Sequence, residues 1–264
     1  MRILVTNDDG IHSQGLDVCE EIARALSEDV WVVAPEFDQS GVSHSLSLND
    51  PLRLREVGPR RYAVKGTPTD CVIMGVRHIM RHEPPDLVLS GVNRGRNAAE
   101  DVTYSGTIAG AMEGAILGFP SVALSQAYRA FQREQPYWET ATRFGPDIIR
   151  TVLAEGIPRD VLINVNFPDC APDEVKGISV ATQGRRHLER LQIEPRQDGR
   201  GNPYYWIAYV RKPGPPPRDG TDISALADNR ISVTPLRLDL TDEPFMTRLA
   251  QVFADKPGRS RSQA

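Results

Sequence analysis

The strongest constraint on the fold of this chain is a repeated pattern of short, unbroken apolar runs that each stop at turn-forming residues. Ile3-Leu4-Val5 halts at Asn7-Asp8-Asp9-Gly10, and Val30-Trp31-Val32-Val33-Ala34 halts at Pro35. Leu87-Val88-Leu89-Ser90, Val122-Ala123-Leu124 and Val161-Leu162-Ile163-Asn164-Val165 repeat the pattern. A strand that is apolar at every position has no face to give to water, so it must be covered on both sides. Between the first two runs, Leu16, Cys19, Ile22, Ala23 and Leu26 recur at helical spacing. Such strands alternating with helices predict an α/β fold with a mainly parallel sheet.

Two later helix starts are marked. Thr67-Pro68-Thr69-Asp70 carries an N-cap threonine, a proline in the first helical position and an acid in the third. Ser105-Gly106-Thr107 opens a run containing Ala109-Gly110-Ala111, small enough to bring a helix close to a sheet. Beyond residue 166 Pro and Gly become frequent; Pro215-Pro216-Pro217 reads as extended or a turn, and Tyr204 to Val210 and Ile231 to Thr234 as strands. The expected organisation is an α/β core over residues 1–166 and a β-rich extension, largely of hairpins, over 167–264, within one overall domain. Its aromatic strand suits an oligomer interface, where aromatics are enriched, or the chain's own core.

Thirty-one basic against 35 acidic residues gives a net charge of −4, which argues against nucleic acid as the main partner. The one basic stretch, around Lys256, Arg259 and Arg261, reads as a frayed terminus. Met1 leads straight into the first strand without a signal segment, and no apolar run reaches membrane length. Cys19, Cys71 and Cys170 match no zinc spacing and cannot form a full disulfide framework, which points to a reducing, cytoplasmic setting.

In an open parallel sheet, ligands bind beyond the carboxyl ends of the strands. Three polar clusters fall at such ends: Asn7 to Gly10, Asp38 to Gly41, and Ser90 to Asn97. Adjacent carboxylates raise one another's pKa unless a cation sits between them. Asp8-Asp9 therefore reads as a metal site, with a turn and helix cap as the plain alternative. Asp8, Asp9, the Ser40 hydroxyl and the Asn93 amide oxygen form a set of hard oxygen donors that suits Mg²⁺ or Mn²⁺. Asn97 and the amides around Ser105, Gly106 and Thr107 are the candidates for binding phosphate at a helix N-terminus, although Ser105 and Thr107 also fit simple capping. No Walker loop, dinucleotide fingerprint or Gly-x-Ser-x-Gly elbow is present, and His44, His78, His82 and His187 form no metal spacing. The chemistry that fits is hydrolysis of phosphate monoesters with one divalent ion.

The motifs also resemble a known family. They are Arg2-Ile-Leu-Val-Thr-Asn-Asp-Asp-Gly10, Val33-Ala-Pro35 with Ser40-Gly41, Gly66-Thr-Pro-Thr-Asp-Cys71, and Ser90-Gly-Val-Asn93. Asp101-Val-Thr-Tyr-Ser-Gly-Thr107, Asn164-Val-Asn-Phe-Pro168, Pro203-Tyr-Tyr-Trp-Ile207, Thr221-Asp-Ile223 and Ser232-Val-Thr-Pro-Leu236 continue the set. In this order they resemble the SurE survival proteins, metal-dependent 5′-nucleotidases. The resemblance implies a three-layer α/β/α sandwich and one Mg²⁺ or Mn²⁺ per subunit on Asp8, Asp9, Ser40 and Asn93, with one of the aspartates helping to activate water. It also implies hydrolysis of nucleoside 5′-monophosphates, with 3′-monophosphates and other small esters as a wider range. Homodimers or homotetramers would form through exchanged C-terminal segments. Two rivals remain: a phosphatase forming an aspartyl-phosphate on Asp8, and a non-catalytic nucleotide-binding regulator. Departures lie in loops, at Val42 to Ser45 and Tyr128 to Gln135, and bear on substrate preference.

Overall fold

The structure, a computed structural model, describes residues 1–128, 135–185, 191–209 and 216–254. β1 (Arg2–Thr6) leads through α1 (Gln14–Arg24) to β2 (Asp29–Pro35), and a long connection then reaches β3 (Leu54–Gly58) and β4 (Arg61–Val64). α2 (Pro68–Met74) precedes β5 (Leu87–Arg94), and α3 (Asp101–Tyr104) with α4 (Gly106–Ile116) precedes β6 (Ser121–Gln126). α5 (Trp138–Glu155) leads to β7 (Val161–Phe167). The remainder holds β8 (Ile178–Val180), β9 (Leu191–Gln197), β10 (Pro203–Tyr209), α6 (Asp222–Ala227), β11 (Ile231–Arg237) and α7 (Glu243–Ala254).

Nine strands form one sheet in the order β3-β4-β2-β1-β5-β6-β7-β11-β8. From β4 to β7 all neighbours are parallel; β3 runs antiparallel to β4, and β11 antiparallel to β7. This is the mainly parallel sheet that the apolar runs require. On one face, α1 and α5 bury Leu16, Ile22 and Ile149 against Ile3, Val5 and Phe167. On the other, α2 covers Leu4 and Val33, and α4 places Ile108 against Ala123 and Leu162. Each fully buried side chain of this size contributes about 1.5–3 kcal/mol.

Both predicted helix starts are capped as their residues dictate. Thr67 and Asp70 form a reciprocal box: Thr67 Oγ1 accepts from the Asp70 amide at 3.2 Å, and Asp70 Oδ2 accepts from the Thr67 amide at 2.8 Å. Ser105 Oγ accepts from the Ile108 amide at 3.0 Å and starts α4. The small residues of α4 matter to its seating. A Cβ on Gly110 would lie 2.8 Å from Ser90 Oγ, so only glycine lets the helix lie this close to β5.

After residue 166 the chain is less separate than a run of hairpins. β11 enters the main sheet beside β7, with Ile231 and Val233 joining the core under α1 and α5, and β8 pairs with β11 at the edge. β9 and β10 form a hairpin of their own. Val210, Pro215 and the basic stretch at Lys256, Arg259 and Arg261 lie outside the described residues. None of the described helices is long and apolar enough to cross a membrane.

Candidate metal and phosphate site

The sheet order decides where a site can lie. From β1 the chain goes first to β2 on one side and later to β5 on the other. The connections diverge there, opening a crevice beyond the carboxyl ends of β1 and β5. Thr6 pairs with Ser90 in register, so Asp8-Asp9 leaves β1 and Asn93-Arg94 ends β5 along the same edge.

The turn after β1 is fixed from several directions. The Asn7 side-chain amide donates to Gly10 O at 3.1 Å and to Ser13 Oγ at 2.7 Å, and Ser13 also caps α1. Gly10 takes φ +98°, a conformation costly for any residue with a Cβ. The loop after β2 is tied to this turn, because the Gln39 amide donates to Asp8 O at 2.8 Å. Asp38 Oδ1 accepts from the Ser40 amide at 2.7 Å, a local turn that sets Ser40 beside the aspartates. From the β5 side, the Arg94 amide donates to Asp9 Oδ2 at 3.1 Å. From α4, Thr107 Oγ1 donates to Asp8 Oδ1 at 2.5 Å. A Cβ on Gly106 would lie 2.7 Å from Asp8 Cβ, so the N-terminus of α4 rests directly on this aspartate.

The structure thus brings Asp8, Asp9, Ser40, Asn93, Gly106 and Thr107 into one crevice. Asp8 is 4% exposed, and burial pushes its carboxyl from the ordinary 3.8 to about 7, with Asp9 and Asp38 adding to the rise and the Thr107 hydroxyl opposing it. Burial also raises Asp9, opposed by the Arg94 amide and guanidinium, while Asp38 pushes it further up. Beyond the bonds already named, no donor from another described residue reaches Asp8 Oδ2, Asp9 Oδ1, Ser40 Oγ or Asn93 Oδ1. Asn93 spends its amide hydrogen on Gly95 O at 3.0 Å, which leaves its oxygen as the free end. Crowded acceptors with few donors fit a cation. Among the described residues no three His, Cys, Asp or Glu side chains are placed to share a metal, so the set depends on the neutral oxygens of Ser40 and Asn93.

The other predicted residues take different places. Ser105 spends its hydroxyl on capping α4. Asn97 lies over β6 and β7, away from β1. Its Nδ2 donates to Ser125 Oγ at 3.0 Å, and its backbone carbonyl accepts from Asn164 at 2.8 Å and Asn166 at 3.1 Å. The Thr107 hydroxyl faces Asp8, whereas the Gly106 and Thr107 amides have no intrahelical acceptor and none elsewhere among the described residues. Sequence reading missed the part played by Asp38, although an Asp two residues before a Ser is a turn signal. The Arg94 amide had no signal at all, because a backbone donor carries no residue type.

Comparison with known proteins agrees with this geometry. A family model described as Survival protein SurE matches residues 3–190. A protein of Azorhizobium caulinodans named 5'-nucleotidase SurE is 68% identical over 253 residues, covering 96% of this chain and 99% of the relative. A Bradyrhizobium protein of the same name is 66% identical over 255 residues, covering 96% of this chain and all of the relative. The crystal structure of the SurE protein from Aquifex aeolicus superposes with a TM-score of 0.81 at 42% identity, covering 96% of this chain and 100% of that one. Over its motifs, its sheet order and nearly its full length, the chain belongs to the SurE survival protein family.

Proposed function

We propose that this chain is a 5′-nucleotidase, a phosphohydrolase using one Mg²⁺ or Mn²⁺ per subunit to release phosphate from nucleoside 5′-monophosphates. Nucleoside 3′-monophosphates and other small esters form the wider range. The observation that carries this reading is the adjacent pair of buried Asp8 and half-buried Asp9, each of which keeps one carboxylate oxygen that no donor from another described residue reaches. The relatives named 5'-nucleotidase SurE support the choice of nucleotide as substrate.

Asp8, Asp9, Ser40 and Asn93 hold the ion. When bound, the ion polarises the phosphoryl group and lowers the pKa of the attacking water. Asp8 is fixed by burial and by the Thr107 hydroxyl, so its orientation does not have to be found at each turnover. Asp9 is more open than Asp8, and one of the two aspartates helps to activate the water. The Gly106 and Thr107 amides, at the start of the eleven-residue α4, donate to the phosphate oxygens. Ser105 holds that helix start in place, and Asn97 shapes the loop that leads to it.

The C-terminal segments join copies into a homodimer or homotetramer. α7 buries none of its own residues and exposes Phe245, Met246, Leu249, Val252 and Phe253, while the β9–β10 hairpin exposes Tyr204, Tyr205, Trp206 and Ile207. In this reading residues 1–166 carry the site and 167–264 the assembly surfaces. Cys19, Cys71 and Cys170 are all buried, which suits a reducing, cytoplasmic setting.

A phosphate-release screen over nucleoside 5′- and 3′-monophosphates, each with Mg²⁺, Mn²⁺ and chelator, tests the reading. Metal-dependent release from 5′-monophosphates is expected. Tight nucleotide binding with no release under any metal would replace it with a regulatory role.

A further inference from the structure

The connection between β2 and β3 carries Ser40 and has almost no regular structure, yet it is held across two helix starts. The Ser43 amide donates to Tyr104 O at 3.1 Å, and Ser43 Oγ to Thr103 O at 2.8 Å. Thr67 Oγ1 donates to Ser45 O at 2.8 Å, and the Ser47 amide to Asp70 Oδ1 at 3.1 Å. Ser43 itself stands at φ 57°, uncommon for a residue with a Cβ and kept only where neighbours over-determine it.

One contact in this connection is of another kind. His44 Nε2 lies 2.9 Å from Glu113 Oε2, on the side of α4 two turns beyond its start. The Glu113 side chain is 9% exposed, and His44 is its one side-chain partner among the described residues. A carboxylate so enclosed is paired for a reason, since an unpartnered one is costly to bury. The bond joins the segment that presents Ser40 to the helix whose first turn carries Thr107, the residue that orients Asp8. Ser40 has no side-chain bond of its own to fix it among the described residues; its place depends on its backbone and on what holds the loop.

We infer that His44 is a positioning residue for the metal site: by donating to Glu113 it registers the Ser40 loop against α4, so that Ser40 and Asp8 are presented together. This rests on the metal reading of Asp8, Asp9, Ser40 and Asn93. His44 touches neither ion nor substrate. Removing it loosens one ligand of the set and leaves the aspartates intact.

The test is direct Mn²⁺ binding to the purified full chain, followed by electron paramagnetic resonance of free Mn²⁺, alongside kinetics with saturating Mn²⁺. His44→Ala is expected to weaken Mn²⁺ binding by about tenfold, the low end for groups that act on a ligand from outside the coordination shell. KM for nucleotide at saturating metal should stay within about twofold, because phosphate-side donors are untouched. His44→Gln, which can still donate to Glu113, should restore most of the affinity, and Glu113→Ala should match His44→Ala, with no further loss in the double variant. Folded His44→Ala, judged by its circular dichroism, that binds Mn²⁺ as the wild type does would overturn the inference. So would Gln failing where Ala fails, since that marks a general packing role. Wild-type protein that binds no Mn²⁺ would instead overturn the metal reading, and this inference with it.

Discussion

Asp8→Asn isolates what it costs the fold to keep a charge where Asp8 stands. The carboxyl is 4% exposed and is pushed from 3.8 to about 7, first by burial and then by Asp9. In the unfolded chain it loses its proton near the ordinary 3.8, and in the folded chain near 7. Between those values the folded state binds more protons, so without metal its stability falls as pH rises from 3.8 towards 7 and is flat above. The gap corresponds to about 4 kcal/mol at most, at about 1.4 kcal/mol per pH unit. Asparagine has the same shape, keeps an oxygen for the Thr107 hydroxyl and does not ionise. Urea denaturation in chelator at pH 8, at one fixed protein concentration, should therefore find Asp8→Asn about 2–4 kcal/mol more stable than wild type. Relief of Asp9 acts in the same direction. Well below pH 3.8 the difference should vanish, since Asp8 is then neutral in both states. Adding Mn²⁺ at pH 8 closes most of the gap: at one hundred times its dissociation constant it stabilises wild type by about 2.7 kcal/mol and leaves the variant unmoved. A wild type with the same stability in chelator at pH 5 and pH 8, relative to Asp8→Asn, would refute the reasoning.

Four further outcomes follow from the same contacts. Thr107→Ala removes the one side-chain donor on Asp8 among the described residues and should weaken Mn²⁺ binding by about tenfold or more, read by calorimetric titration. Gly106→Ala drives a Cβ to within 2.7 Å of Asp8 Cβ, and turnover should fall by about a hundredfold or more while circular dichroism stays native, as expected when a reacting group is displaced by about 1 Å. Dialysis against chelator should abolish phosphate release, and Mn²⁺ or Mg²⁺ should restore it in the assay. Phe245→Glu with Leu249→Glu places charge on the exposed stripe of α7 and should lower the mass seen by light scattering while monomer helicity is kept.

Much of this was legible in the chain because one rule sufficed for it. Unbroken apolar runs such as Val30 to Ala34 have a single stable use in a protein of this size, and a parallel sheet follows. The Thr67 and Ser105 caps were legible because capping is local chemistry over three residues. β3, β4 and β8 were not, since Leu54 to Gly58 and Ile178 to Val180 are half-exposed edge strands whose sequence carries little apolar signal. Nor was β11's place legible. Ile231 to Thr234 reads as a strand in any sheet, and only tertiary pairing puts it antiparallel beside β7. At the site, the acidic pair announced itself by cost. The Thr107 hydroxyl on Asp8 spans 99 positions and has no local signature.

The polar residues that interrupt the apolar strands carry a further regularity. Thr6 and Asn7 follow Ile3-Leu4-Val5, Ser90 follows Leu87-Val88-Leu89, Ser125 and Gln126 follow Val122-Ala123-Leu124, and Asn164 and Asn166 fall late in β7. In the parallel core from β1 to β7 these are carboxyl-end positions, and all seven side chains are buried. A sheet covered on both faces gains nothing by burying hydroxyls and amides at one edge. Among the described residues Thr6 Oγ1, Asn7 Oδ1 and Ser90 Oγ find no hydrogen-bond partner, on or directly after the two strands that flank the Asp8-Asp9 crevice, and Gln126 Oε1 at the end of β6 finds none either. The Asn164 and Asn166 amides, by contrast, are bonded to the Asn97 loop. Polarity is thus spent in two ways along one edge: satisfied where it braces the loop leading into α4, and left open beneath the aspartates. At the amino end of the core strands the buried Ser121 hydroxyl is satisfied by the nearby Phe119 carbonyl; the gathering of the other polar side chains towards the carboxyl edge is what a ligand held there requires.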